Sequence, residues 1–402
     1  MYTKNKPLLK QLNLHIVFFV TLIAVMGVTS VTPAFPLVRE VFGISTGKVG
    51  LLITMFTLPG VILSPVLGVL ADRFGRKKIL VPSLFLFALA GMMCGFTRDF
   101  GWLVFLRFVQ GTGAAAIGAL NITLIGDLYS GRERAAAMGY NASVLSIGTA
   151  LYPAIGGLLA TFAWYFPFFL PVLALPVGIL VIISLDNPEP VNHQVLGAYL
   201  RAVLKSFTSK NVIGLFLLSC LTFIILYGSF LTYLPIHLFE QFNTPPYEIG
   251  IIISFASVST AVMSTQMRWL VAKISYKWLL FLVNIVYILS ILGIPLVESK
   301  WWMLLPSALF GAAQGVNIPA LQTLLAGSAP LEYRAAFMSA NGTVLRLGQT
   351  LGPVLMGMAF AVYGMNAAFF AGALIAVLMA FIVLFMISPK IGQKDKKDLT
   401  GR

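Results

Sequence analysis

The chain alternates long apolar runs with short polar breaks. Apolar stretches fall near 14–38, 48–71, 79–96, 101–125, 137–162, 165–185, 212–238, 248–272, 277–296, 301–325, 335–360 and 365–387. About 20 apolar residues cross a bilayer as a helix, so this pattern predicts twelve transmembrane helices. Runs of this length suit helices and not barrel strands, since each backbone polar group must be satisfied within the lipid. The longest polar connection, about 186–211, carries Asp186, Asn187, Pro188, Glu189, Pro190 and His193. It divides the chain into an N-terminal six-helix bundle (1–185) and a C-terminal six-helix bundle with a short basic tail (212–402), joined by a linker (186–211). The expected fold class is an all-α polytopic membrane protein.

Composition agrees. Of 402 residues, 59% are hydrophobic and 10% charged, against about 25% charged in soluble proteins. The net charge of +14 would suit nucleic acid if it lay on a soluble face. Instead the basic residues sit in short loops between apolar runs, where the positive-inside rule accounts for them. With both termini placed in the cytoplasm, cytoplasmic segments hold 21 Lys and Arg and the opposite face holds four (Arg39, Lys48, Arg98 and Lys300). Arg107 and Arg346 remain inside spans. The first span follows Lys4, Lys6 and Lys10 without a small-x-small cleavage site, and is read as an uncleaved helix.

The sequence repeats at a shift of 200. Between 132–157 and 332–357, eleven of 26 positions are identical, among them Asn141/Asn341, Gly148/Gly348, Pro153/Pro353 and Gly157/Gly357. The fifth span is therefore the counterpart of the eleventh. Duplicated bundles about a midplane site suit alternating access.

Three motifs carry more specific information. Gly68-x-x-x-Asp72-Arg73-x-Gly75-Arg76-Lys77-Lys78 joins the second and third spans. Gly68 permits close helix approach, Gly75 permits a tight turn, and a carboxylate at Asp72 can face the positive end of another helix. A loop that only set topology would need neither Asp nor Gly at fixed places. The fourth span holds Arg107, Gln110, Gly111 and Gly113, with Arg107 about 9 Å inside the helix at 1.5 Å per residue. A charge at that depth is expensive and marks function by default, a structural Arg bonded to backbone carbonyls being the alternative. The fifth span carries Gly139, Gly148, Pro153, Gly156 and Gly157, small residues for close contact and a proline for bending.

These motifs and the architecture resemble the major facilitator superfamily over essentially the whole chain, most closely its twelve-helix drug–proton antiporter branch. One departure is Tyr152, where that branch places a glycine before the proline. The resemblance implies two pseudo-symmetric bundles. It implies a conformational latch built from Gly68, Asp72, Arg73, Gly75, Arg76, Lys77 and Asp127, in which Asp72 faces the start of the eleventh helix near Glu332–Arg334 and Arg76 pairs with Asp127. It also implies that the fifth-span motif seals and flexes the structure. The pathway would be lined by the first, fourth, seventh and tenth helices, giving candidate cavity residues Thr32, Phe35, Arg107, Gln110, Asn121, Tyr227, Tyr233, Gln314, Asn317 and Gln322, with Arg346 from the eleventh.

No acid falls in the middle of a predicted span; Glu40 and Asp127 lie at helix ends and the other acids fall in loops or tails. Two cavity-depth arginines favour an anionic, zwitterionic or neutral amphipathic substrate over a permanent cation. The expected function is secondary active transport by alternating access, with protons as coupling ion and export of a small amphipathic compound. His237, Glu40 and Asp127 are the candidate proton carriers. A lipid or lysolipid translocator, or an anion exchanger without proton coupling, is the alternative. The two cysteines and three histidines lie far apart and form no ligand motif. No cofactor, metal, catalytic role or nucleic-acid partner is expected. The expected setting is the bacterial cytoplasmic membrane, with the chain a monomer in the lipid bilayer.

Overall fold

The structure is a computed structural model that describes residues 7–186, 209–328 and 334–388, without the side chains of 334–336. Among the described residues, twelve helices are long and apolar enough to cross a membrane: α1 Leu12–Phe42, α2 Thr46–Phe74, α3 Arg76–Phe96, α4 Phe100–Leu128, α5 Gly131–Phe162, α6 Phe166–Ser184, α7 Lys210–Phe242, α8 Pro246–Thr265, α9 Tyr276–Leu296, α10 Leu304–Ser328, α11 Phe337–Tyr363 and α12 Met365–Met386. The linker 186–211 falls largely outside the described residues. Large apolar side chains such as Ile62, Phe105, Ile183, Leu289 and Phe385 stand exposed around the molecule. In water such a belt would be a liability; in lipid it is the solvent-matched face.

The buried apolar residues form two cores. One runs from Leu14 to Leu185 and adds Ile236; the other runs from Val212 to Ile387. The internal repeat is visible in matched details. Lys77 Nζ donates to the Leu185 carbonyl (3.4 Å), and Lys277 Nζ to the Leu384 carbonyl (2.8 Å). Asn13 Oδ1 accepts from the Asp186 N–H (3.2 Å), and Asn211 Oδ1 from the Ser388 N–H (2.7 Å). Each lysine satisfies a last-turn carbonyl that its helix leaves without an intrahelical partner.

Local departures from straight helix have sequence causes. Pro33 and Pro36 lack the N–H a regular helix needs, and α1 passes through a 3₁₀ turn at Thr32–Ala34. The predicted eighth span, 248–272, is interrupted: α8 ends at Thr265 and a short helix, Met267–Lys273, follows. Ser264 Oγ and Thr265 Oγ1 donate to the Ala261 and Val262 carbonyls (2.8 and 2.7 Å), back-bonding that bends helices. In α7, Leu226–Tyr233 is wound as π-helix. Thr232 Oγ1 donates to the Tyr227 carbonyl five residues back (2.6 Å). Sequence periodicity gave no sign of this segment, although π-bulges concentrate at functional sites.

Candidate functional site: a cleft between two bundles

The cross-bundle contacts are asymmetric along the membrane normal. The first residues of α2 and α8, and the last residues of α5 and α11, lie at the end remote from the chain's termini. On α2 and α11, Thr54 Oγ1 donates to the Thr350 carbonyl (3.1 Å) and Thr57 Oγ1 shares a hydrogen bond with Thr350 Oγ1 (2.9 Å). On α5 and α8, Ser254 Oγ accepts from the Ala154 N–H and Ser257 Oγ donates to the Thr149 carbonyl, both at 3.1 Å. Arg39 of α1 pairs with Glu240 of α7. Arg39, Glu240, Thr54, Thr57, Thr149, Ala154 and Ser254 lie in the half of each helix remote from the termini, while Thr350 sits at the midpoint of α11 and Ser257 just past the midpoint of α8. Toward the terminus-bearing end the bundles separate. A Cβ built on Gly68, Gly139, Gly327 or Gly342 would meet nothing within 4 Å.

The closed end is built by backbone approaching backbone. Gly157 of α5 faces the Pro246 carbonyl group of α8, with the Pro246 carbon 3.1 Å from where its Cβ would stand. Reciprocally, Gly250 of α8 faces the carbonyl of Pro153, whose carbon is 3.0 Å away on the same construction. Each helix thus presents a proline and, four residues on, a glycine, spaced to share one helix face. Across the pseudo-twofold, Gly50 of α2 faces Pro353 of α11 at 2.9 Å. Pro153 has a further consequence. Lacking an N–H, it leaves the Thr149 carbonyl without its intrahelical donor, and Ser257 of the opposite bundle occupies that acceptor.

The remaining residues of the fifth-span motif are more local. A Cβ on Gly148 would stand 3.0 Å from Leu22 and Val25 of α1, and one on Gly156 would collide with the Ser30 backbone of α1. Gly139 faces open space. The sequence reading missed Gly250, Ser254 and Ser257, because a close-approach position on α8 is recognisable only beside its partner helix.

In the charged loop, Gly75 has φ +99°, a conformation that admits glycine without strain. Arg76 pairs with Asp72, and its Nε donates to Asp127 Oδ2 (2.9 Å). Arg73 lies over the Phe74 ring at 5.6 Å. Asp72 is therefore engaged within its own bundle; its anticipated partner at the start of the eleventh helix lies outside the described side chains. A Cβ on Gly68 would meet nothing within 4 Å.

The candidate cavity residues divide into three kinds. Thr32, Phe35 and Tyr233 are buried; the Tyr233 ring packs beside Phe360 (5.7 Å) and its hydroxyl has no described partner. Asn121 and Asn317 tie helices together within a bundle. Asn121 Nδ2 donates to Thr21 Oγ1 (2.8 Å), which also bonds Asn141, while Asn317 Nδ2 donates to Thr222 Oγ1 (2.7 Å). Gln314 is buried with neither amide atom bonded, and Gln110 accepts from Arg107 while its Nε2 has no partner. Gln322 is exposed, Tyr227 is half-buried, and the Tyr227 ring stacks on Phe223 (5.9 Å).

The two mid-depth arginines differ. Arg107 is 1% exposed. Its Nε donates to the Leu52 carbonyl (3.1 Å), Nη2 to the Gly27 carbonyl (2.8 Å) and Nη1 to Gln110 Oε1 (2.7 Å), and the guanidinium lies 4.2 Å from the Phe56 ring centroid. It braces α1, α2 and α4. Arg346 crosses from α11 to the other bundle, against Gly60 of α2 and Gly118 of α4. Four acids assigned to loops in the sequence also prove helical: Asp72, Glu133, Glu240 and Glu248. Glu240 ends α7, and Glu248 opens α8, where it pairs with Lys300 (2.6 Å). Of the candidate proton carriers, Glu40 is exposed, Asp127 is held by Arg76, and His237 is buried against Phe369 (5.3 Å).

Two six-helix bundles about a cleft closed at one end define a membrane carrier. The family model described as Major Facilitator Superfamily matches residues 17–245 and 230–401. The bacillibactin exporter of Bacillus subtilis (strain 168) is 26% identical over 395 residues, covering 94% of this chain and 96% of that protein. Multidrug resistance protein 1 of the same organism is 26% identical over 384 residues, covering 93% and 96%. A bacterial homolog of the human lysosomal transporter Spinster, solved in an inward-facing and occupied conformation, superposes with a TM-score of 0.77 at 16% identity, covering 95% of this chain and 97% of that one. The chain belongs to the Major Facilitator Superfamily and is a multi-pass membrane transporter.

Proposed function

We propose that the chain is a secondary active exporter that moves a small amphipathic compound, anionic, zwitterionic or neutral, in exchange for protons. The bodies that rock are the bundles 1–185 and 212–402, joined by 186–211. The open end is cytoplasmic, as are both termini, and the working unit is a monomer. The observation that carries this reading is the one-sided closure: the Pro-x-x-x-Gly crossing of α5 and α8, with Gly157 and Gly250 each against the other helix's backbone, seals one end while Gly68 and Gly139 stand clear at the other. A carrier that alternates needs such an interface to be separable, and small residues without interlocking side chains supply one. The names of the two curated relatives, an exporter and a drug-resistance protein, support the outward direction. Two positive mid-depth residues with no described acid at that depth support a substrate that is not a permanent cation.

The test is flux in proteoliposomes under an imposed pH gradient, with a panel of anionic, neutral and cationic amphiphiles. Accumulation should follow the gradient and collapse with a protonophore. Flux indifferent to the gradient refutes proton coupling; absence of flux for every compound refutes the exporter.

A further inference from the structure

Arg107 donates a hydrogen bond from each of its three side-chain nitrogens, to Leu52, Gly27 and Gln110. Among the described residues, Arg346 does not. The hydrogen bond described for residue 346 is its backbone carbonyl accepting from Thr350 Oγ1 (2.8 Å). Among the described residues its guanidinium makes no ion pair: Asp72 and Asp127 are taken by Arg76, Glu240 by Arg39 and Glu248 by Lys300.

Its position is equally specific. Arg346 is the innermost rung of the α2–α11 contacts, one turn inside Thr350, so it stands at the apex of the open cleft. The side chain leaves its own bundle and lies in a slot made by two missing side chains. A Cβ at Gly60 would stand 2.8 Å from Arg346 Cδ and 3.1 Å from Cζ; one at Gly118 would collide with Nη2. One turn further toward the open end of α4, Ile122 shares the Gly118 face and is 60% exposed, giving the cleft an apolar wall beside the charge. Tyr227, on the π-wound segment of α7, lies within electrostatic reach. A cation at this depth that finds no anion in the protein is costly to maintain.

Resting on the transport reading above, we infer that Arg346 is the anion-reading residue of the cargo site. The cargo carries a carboxylate-type oxyanion that bonds the guanidinium at the cleft apex, while its apolar part lies along the Ile122 wall. Because the guanidinium belongs to one bundle and its slot to the other, the bound anion sits where the bundles meet.

The experiment uses purified full-length protein in nanodiscs of zwitterionic lipid. Binding of naphthylacetate, its methyl ester and naphthylethylamine is measured by calorimetry. The carboxylate should bind about ten- to a hundredfold tighter than the ester, the range expected for charge-assisted hydrogen bonds. R346Q should erase that preference, R346K should keep part of it, and G118A, which leaves the charge but fills the slot, should weaken carboxylate binding. Monodisperse elution of each variant confirms folding. The inference is overturned if wild type binds the ester as well as the carboxylate, if neither binds, or if R346Q retains the preference. It is also overturned if phosphatidylglycerol in the disc displaces naphthylacetate in an Arg346-dependent way, which would assign the site to a lipid headgroup. Proteoliposome flux separates this from the parent reading. Arg346-dependent binding without transport refutes export and leaves the anion site, whereas transport of ester or amine that ignores Arg346 refutes the anion site and leaves export.

Discussion

Adding one methyl group to the α5–α8 crossing should move the whole conformational equilibrium. In G157A the new Cβ collides with the Pro246 carbonyl oxygen and stands 3.1 Å from both the Pro246 carbon and Tyr247 Cα; in G250A it stands 3.0 Å from the Pro153 carbon and 3.1 Å from Ala154 Cα. These neighbours are backbone, so neither substitution can be absorbed by a rotamer change. Overpacking of this kind costs about 1–3 kcal/mol. The penalty falls only on the state in which the remote ends touch, so each variant should shift the balance toward the state open at that end by about 5- to 150-fold. The shift is measurable with spin labels and pulsed dipolar spectroscopy in a background lacking Cys94 and Cys220. One pair, at Glu40 and Gln241, spans the remote ends of α1 and α7; a second, at Arg132 and Gln266, spans the terminus-bearing ends of α5 and α8. All four positions are exposed. The first distance should lengthen and the second shorten. Distance distributions identical to those of wild type, in a folded variant, would refute the claim that this crossing is the seal.

Other outcomes follow from the same contacts. G139A, whose Cβ meets open space, should leave the remote-end label distance unchanged, a control for helix 5 substitutions as such. S257A removes the cross-bundle donor to the Thr149 carbonyl, worth about 0.5–1.5 kcal/mol, and should widen the same distance by a population shift of about two- to twelvefold. R107A removes the hydrogen bonds to the Leu52 and Gly27 carbonyls and Gln110, each worth about 1.5–3 kcal/mol when the donor is charged, so its thermal unfolding temperature in detergent should fall sharply while that of R346Q stays near wild type. Equal falls in both would contradict the division of labour between the two arginines. E240Q breaks the Arg39 pair at a site where both partners are about a quarter or more exposed. A label shift corresponding to at most about 1 kcal/mol is expected there, and a larger one would show that this pair, and not the backbone crossing, holds the remote end shut.

The long apolar runs, the basic loops and the shift-200 repeat made the twelve helices, the bundle count and the inventory of polar residues legible from sequence alone. Backbone groups in lipid must be satisfied within each helix, and that requirement writes itself into segment length and composition. The Arg76–Asp127 pair was anticipated only through the family resemblance of the charged loop, and the structure forms it. Tertiary structure decided which residues meet. A membrane helix is apolar both toward lipid and toward its neighbours, so its sequence fixes depth far better than rotation about its axis. For that reason Arg107 and Arg346 looked alike as mid-span charges. Only packing revealed that one is fully bonded within its bundle and the other reaches, without an anion, into a slot between Gly60 and Gly118. The role of Gly250 opposite Pro153 was invisible for the same reason: a glycine's value at a crossing is set by the backbone that faces it.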